Sequence, residues 1–217
     1  VAAAARRRSR SSDTGRRRQP ARDSREQLLR QASHLFLTGG FQGVGIAEIC
    51  TTAEVQKGTF YHFFESKSHL LLEVIERHAA EINQSILNVA LGDGPASRKI
   101  LALFAMGRAS AHEKSVTLPG YFLGNIVLEL APQNAAVREA TRAAFALWTK
   151  SISRIVAQLI AEERLHSLDA QDAAEAVLGL LQGAAVMANA YNDPRKMRGF
   201  AHTCLELLRT TGSAAKP

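Results

Sequence analysis

An all-α chain is predicted, on two patterns. From residue 24 onward apolar residues recur at three- and four-residue spacing, and no stretch alternates apolar with polar as a half-buried strand does. The interruptions are helix breakers: Gly39-Gly40, Gly92-Asp93-Gly94-Pro95, Pro132 and Pro194. Together with the turns between successive periodic runs, these breaks give about nine helices, with a short pair near the front.

The first helix is predicted to start at Ser24, because Ser24-Arg25-Glu26-Gln27 fits a capping box in which hydroxyl and amide satisfy orphan backbone N–H groups. Leu28, Ala32, Leu35 and Phe36 form its apolar stripe, Gly39-Gly40 ends it, and Phe41 returns to the core. A second helix runs from Ile46 to Ala53 with Ile46, Ile49 and Cys50 inward; Gly45 is its N-cap and offers no side-chain oxygen. A turn of about three residues leads to a third helix at Lys57. Phe60, Phe63 and Phe64 face inward there, which leaves Gln56, Lys57, Thr59, Tyr61 and His62 on the other side. Two short helices joined by a tight turn are a helix-turn-helix pattern. The first turn of its second helix suits the phosphates and base edges of a DNA groove.

Ser66 is placed to cap a long fourth helix containing Leu71, Val74, Ile75, His78, Ile82, Ile86 and Val89. Its far end lies about 30 Å away by helical rise, so it is a candidate lever between two parts. Further helices are expected over 96–112, 120–131, 134–163 and 169–191. The stripe of the seventh is Val137, Thr141, Ala144, Phe145, Trp148, Ile152, Ile155, Val156 and Leu159. A ninth, with Pro194 at its first position, reaches about Arg209, and Thr210–Pro217 reads as loose. The eighth contains Gly179, Gly183, Ala184, Ala185 and Ala188; glycine inside a helix costs roughly 1 kcal/mol, which points to close packing, either internal or at a subunit interface with the ninth. The chain divides into an Arg-rich tail (1–22), a helix-turn-helix unit (23–68), a larger helical unit (69–210) and a loose C-terminus (211–217).

With 46% hydrophobic residues in 217, a packed core is expected. No apolar run reaches the roughly 20 residues of a membrane helix, and the Arg-rich start has no apolar stretch behind it. Neither a membrane partner nor a secretory signal is expected, and a reduced cytoplasmic setting follows as the default. Cys50 and Cys204 form no CxxC, so neither a disulfide framework nor a zinc site is implied. Residues 1–22 hold eight arginines and one aspartate, which equals the +7 of the whole chain. The rest is neutral, and the tail is either solvated or laid along phosphates. Enzyme chemistry is not expected: Glu162-Glu163 and His166 lack a partner set, the seven histidines lack HxxxH spacing, and no glycine-rich phosphate loop is present. No cofactor or metal is implied.

Residues 24–70 resemble the DNA-binding domain of the TetR family of bacterial transcription regulators. The resemblance is carried by Gly39-Gly40-Phe41, Ile46-Ala47-Glu48-Ile49, Ala53, Val55, Lys57-Gly58-Thr59-Phe60-Tyr61-His62-Phe63, and Ser66-Lys67 before Leu70-Leu71. It implies an all-α fold with an N-terminal helix-turn-helix domain and a C-terminal ligand-binding and dimerisation domain. It also implies a homodimer through the eighth and ninth helices that binds a palindromic operator in double-stranded DNA. A small-molecule effector would release a repressor of this kind from its operator. Lys57 would neutralise phosphate, Gly58 and Thr59 would lie near base edges and sugar, and Tyr61, His62 and Lys67 would bond phosphates. The ligand would sit among the fourth to eighth helices, with Phe104, Arg108, His112, Tyr121, Asn125, Phe145, Trp148, Met187 and Tyr191 as candidates.

A looser similarity to one subgroup rests on Gly120-Tyr121-Phe122-Leu123-Gly124-Asn125, Val137-Arg138-Glu139 and Leu181-Gln182-Gly183-Ala184. Position 121 is often Cys in that subgroup, some members of which sense electrophiles or oxidants; here it is Tyr121. Three further departures fall in the reader. Val44-Gly45 stands where a Thr-Ser or Thr-Thr pair is usual, Glu54 where Gly is usual, and Gln56 where Ser is frequent. A Glu54 forced to positive φ costs about 1 kcal/mol. Gln56 gains the ability to bond adenine N6 and N7 together.

Overall fold

The computed structural model describes residues 21–109 and 121–213. Among them every regular element is a helix: α1 (Ala21–Gly43), α2 (Ile46–Thr52), α3 (Lys57–Phe63), α4 (Lys67–Leu91), α5 (Ala96–Ala109), α6 (Tyr121–Leu130), α7 (Ala135–Glu163), α8 (Ala170–Ala190) and α9 (Lys196–Ser213). The Arg-rich tail lies outside the described residues, as does the end predicted for the fifth helix.

The start of α1 differs from expectation. The helix already includes Ala21, so Ser24 lies in its first turns, buried, and the capping box does not form. Gln27 Oε1 is buried without a hydrogen-bond partner. The box is a local pattern, and nothing in Ala21-Arg22 resists helix; Pro20 just before them is a residue that favours helix starts. The break after α1's main body is where the glycines place it. Gly40 (φ 70, ψ 165) leaves the helix, and one further turn reaches Gly43.

Phe36 meets Phe41 at 5.4 Å between ring centroids, and Phe60 meets Phe64 at 5.7 Å. Phe60 and Phe64 are fully buried, and Phe63 is half-buried. Ala53 N–H donates to Ile49 O and Val55 N–H to Cys50 O, which turns the chain between α2 and α3 through Glu54 at φ 56.

α4 belongs to both halves. Its start is capped by Ser66, whose Oγ accepts from His69 N–H at 3.0 Å. Arg25 pairs with Glu73 and Arg77 with Glu26, tying α1 to its flank. Further along, the indole Nε1 of buried Trp148 donates to Ala79 O (2.9 Å), and Ser151 Oγ donates to Asn83 Oδ1 (2.6 Å), so α7 grips its middle. At its end the buried Lys99 donates from Nζ to Ala90 O and to Gln158 Oε1, both at 2.8 Å. Gln158 Nε2 donates to Glu162 Oε1, and Glu162 Oε2 accepts from Ala96 N–H, so α7 fixes the turn into α5.

The predicted α7 stripe is buried except for Phe145, which is half-buried. Asn134 caps α7 and Asp169 caps α8, each accepting two backbone N–H groups. By length and composition alone α8 is apolar enough to cross a membrane (mean hydropathy 1.3), although Asp172, Glu175 and Gln182 interrupt its apolar run. It packs beside α7 and α9 with Ala173, Ala174, Val177, Ala184 and Ala188 inside.

α9 starts at Lys196, beyond Pro194, and runs past Arg209. Thr210 to Ser213, predicted loose, are helical. Arg209 donates to Glu163 (Nε and Nη2, both 2.8 Å) and to Glu206, Gly212 is buried, and Ser167 N–H reaches Gly212 O at 3.4 Å. Glycine is required here by space: a Cβ at position 212 would stand 2.5 Å from Leu165 Cβ.

Thermal and denaturant unfolding of three glycine variants checks these readings. Gly199→Ala, in the same helix with open space around it, raises stability by up to about 1 kcal/mol, whereas Gly212→Ala lowers it by about 1–3 kcal/mol. Glu54→Gly relieves a left-handed non-glycine residue and raises stability by up to about 1 kcal/mol.

Candidate nucleic-acid interface and interior site

α3 has seven residues, and burial of Phe60 on one side fixes which residues it displays on the other. Gln56, Lys57, Gly58 and His62 are exposed, Tyr61 is 57% exposed, and Thr59 is half-buried. Gln56 is the N-cap with extended backbone (φ −80, ψ 153) and makes no side-chain capping bond. Its amide group is therefore not spent on the helix. Nothing stands within 4 Å of a Cβ added to Gly58, so a duplex can approach the helix start closely. Tyr61 rests edge-on against Phe60 at 5.3 Å, and His62 against Phe63 at 4.8 Å. Both rings are held at the base and open at the polar end. The structure thus gathers Gln56, Lys57, Gly58, Tyr61 and His62 on one outward edge, with Thr59 partly recessed.

Lys67 is placed differently from the other predicted contacts. It is half-buried, and its Nζ donates to Phe41 O and Val44 O, each at 2.8 Å, while lying 4.2 Å from the centroid of the Phe41 ring. The ammonium holds the corner between α1 and α2. From the other side Glu129 of α6 accepts from Phe41 N–H (Oε2, 3.2 Å) and Gln42 N–H (Oε1, 2.8 Å). Sequence reasoning did not find Glu129, because it is 87 and 88 positions from its partners and no local motif marks it.

The formal charge of residues 24–70 is balanced. Arg25, Arg30, Lys57 and Lys67 stand against Glu26, Glu48, Glu54 and Glu65 in residues 24–70. Lys57 is also felt by the buried Cys50: burial pushes that thiol up, and the ammonium partly opposes it. Cys204 in α9 is pushed up to about 11 by burial. Both thiols are free and buried.

Of the residues expected to line an effector site, Phe104 and Trp148 are fully buried, and Phe145 packs on Trp148 at 5.6 Å. His78 joins them, 6.3 Å from the Trp148 ring and 5.1 Å from Phe122. Asn125 is half-buried on α6. The remaining two described side chains lie outside this group: Met187 is 39% and Tyr191 60% exposed, with Lys196 Nζ over the tyrosine ring. His112 and the side chains of Arg108 and Tyr121 fall outside the described residues. Gln182 was not singled out; its Oε1 is buried without a partner and lies 3.2 Å from where a Gly124 Cβ would be. His78 and Phe122 were legible only as members of apolar stripes, which look the same for core and for cavity wall.

A separate groove of about 350 Å³ lies between the start of α8 and the end of α9, along Leu168, Val177, Leu180, Cys204 and Leu207. It shares no residue with the predicted effector site. Beside it on α8, the small-residue stripe divides. Ala184, Ala185 and Ala188 are buried within the chain, whereas Gly179 and Gly183 face outward with nothing within 4 Å.

Residues 28–74 match the family model described as bacterial regulatory proteins of the tetR family, and residues 96–204 match that for the tetracyclin repressor-like C-terminal domain. The HTH-type transcriptional repressor NemR of Escherichia coli (strain K12) is 30% identical over 145 residues, 65% of this chain and 69% of that protein. The crystal structure of reduced E. coli NemR superposes with a TM-score of 0.73 at 25% identity, over 85% of this chain and 96% of that one. A TetR-family regulator from Agrobacterium tumefaciens shares the fold with a TM-score of 0.77 at 19% identity, covering 87% and 98%. Helix-turn-helix, shared α4 and helical body agree with the two matched regions, and the chain belongs to the TetR family of DNA-binding transcription regulators.

Proposed function

We propose that two copies of the chain bind a palindromic operator, repress transcription there, and leave it when a small molecule occupies the helical body. The observation that carries this is the outward edge of α3, where Gln56, Lys57, Tyr61 and His62 are exposed above a fully buried Phe60. Lys57, Tyr61 and His62 bond phosphates, and Gly58 lets the helix start approach the duplex. Gln56, with Thr59 beside it, reads a base edge. Lys67 acts on DNA indirectly, by fixing the corner that carries α2.

The second copy docks through α8 and α9. Gly179 and Gly183 admit a close helix, and Val186, Met187, Tyr191 and Leu207 supply exposed apolar surface beside them. Met187 and Tyr191 therefore serve the subunit interface in this reading, not the cavity. The effector is a small, partly aromatic or apolar molecule held among Phe104, Phe122, Asn125, Phe145 and Trp148, with the orphan Gln182 Oε1 accepting one hydrogen bond from it. It binds the released arrangement more tightly than the DNA-bound one, which is the condition for any ligand-driven shift. Cysteine sensing is not part of the reading, because both described thiols are buried with raised pKa.

Selection from random duplexes is expected to return one palindrome with half-sites about one helical turn apart. Lys57→Ala then weakens binding to all sequences alike, and Gln56→Ala costs about 1–3 kcal/mol while relaxing preference at one base pair. Uniform affinity for random DNA would instead mark a protein that packages nucleic acid without reading it. The body is neutral, so the tail is expected to supply attraction. Replacing Arg6, Arg7, Arg8, Arg10, Arg16, Arg17 and Arg18 with Gln makes the salt dependence of binding shallower, by about 0.9 in logarithmic slope for each phosphate contact removed. An unchanged slope means that the tail does not touch DNA.

A further inference from the structure

We propose that Glu129 is a positioning residue for DNA recognition: from the far part of the chain, its carboxylate sets the angle at which α2 and α3 are presented. Because Gly40 leaves the helix at φ 70, the amides of Phe41 and Gln42 lose the carbonyls that an unbroken helix would offer them. Two N–H groups at the start of a new turn are what an N-cap side chain normally serves. Here the cap comes from another helix, and it is charged: Glu129 Oε2 takes Phe41 N–H and Oε1 takes Gln42 N–H. A carboxylate accepting two backbone N–H groups makes charge-assisted bonds, stronger than neutral ones.

The same corner is held from the opposite side by Lys67, whose ammonium takes Phe41 O and Val44 O. Phe41 is thus fixed at its amide by an anion on α6, at its carbonyl by a cation on α4, and at its ring by Phe36 and the same cation. Gly45, the N-cap of α2, follows Val44 directly. A shift of Glu129 therefore moves the start of α2, and the tight turn passes it to α3. α6 is the helix that touches the interior aromatic group. Five residues before Glu129, Gly124 lies against the orphan Gln182 carbonyl, and Phe122 lies against His78. α6 links the interior aromatic group to the corner through one rigid segment.

The proposal rests on the DNA-binding reading above, and its test separates the two. In the full chain, amide hydrogen exchange is compared between wild type, Glu129→Ala and Glu129→Gln. The Phe41 and Gln42 amides are expected to exchange at least about tenfold faster in Glu129→Ala and by an intermediate factor in Glu129→Gln, which keeps one acceptor oxygen. Amides inside α3 and its cap, such as Phe60 and Phe64, stay at the wild-type rate. Duplexes selected by the wild type are then remade with one or two base pairs added between half-sites. The wild type is expected to lose about tenfold or more in affinity on the altered spacing, and Glu129→Ala to lose less than threefold. Unchanged exchange at Phe41 and Gln42 overturns the latch. Changed exchange with a wild-type spacing profile overturns its role in presentation. A wild type that selects no sequence sinks the DNA-binding reading, while the exchange arm still decides whether the latch exists. Arg77→Ala, which cuts an α1–α4 ion pair instead, is the control for general loosening and keeps the wild-type spacing profile.

Discussion

Two seven-residue helices and the one before them cannot bury enough surface to stand alone, and this constraint organises the molecule. A unit of about 60 residues buries only about 60% of what its unfolded chain exposes, which leaves it marginal. The reader meets the shortage by sharing α4. Leu28, Ile49, Phe60 and Phe64 belong to one continuous buried cluster with Leu70, Leu71 and Val74, and the cluster goes on through Ile86 to Trp148 and Ile152. The helix-turn-helix unit and the helical body therefore have no independent interiors. A change of packing in one is felt by the other, because close-packed interiors transmit displacement instead of absorbing it.

Electrostatics adds a second layer to the same joint. Arg25 with Glu73 and Glu26 with Arg77 cross from α1 to α4 at the surface, where such pairs contribute modestly. Lys67 and Glu129 differ, since they bond backbone groups around the break after Gly40. Removing either leaves part-buried backbone groups at Phe41 or Val44 without that partner, and an unpaired buried group costs more than the bond itself is worth. Residues 24–70 are meanwhile neutral in formal charge, with Arg25, Arg30, Lys57 and Lys67 against four glutamates.

Most of the fold was legible because its signals are local. Gly39-Gly40, Gly92–Pro95 and Pro132 end helices wherever they occur, and the α7 stripe needs only 3.6-residue periodicity to be seen. Ser66 and Gly45 are caps as read, and Glu54 takes the left-handed turn that a missing glycine implied. What was misread depends on distance. Ser24 looked like a cap because a four-residue motif cannot report that helix already precedes it. The end of α9 looked loose because Thr-Thr-Gly-Ser is turn-like, whereas Arg209 on Glu163 and Gly212 under Leu165 hold it in place. The α8 small residues read as one stripe; burial splits them into an inner alanine set and an outer glycine pair. At the reader, exposure of Gln56, Lys57, Tyr61 and His62 followed from the apolar spacing. The use of Lys67 on carbonyls did not, because its acceptors are 23 and 26 residues away.

The grip of Trp148 on the Ala79 carbonyl has a mechanical consequence. It divides α4 into a stretch clamped to α7 and α5 and an overhanging arm of twelve residues, Lys67 to His78, about 18 Å long at 1.5 Å per residue. With Ala79 as fulcrum, a 5° swing carries the arm's tip sideways by roughly 1.5 Å, given that rise. Two-fold symmetry would double the displacement to about 3 Å, close to the 3.4 Å step between stacked bases. A rotation of a few degrees inside each subunit would thus put two such subunits nearly a base pair out of step.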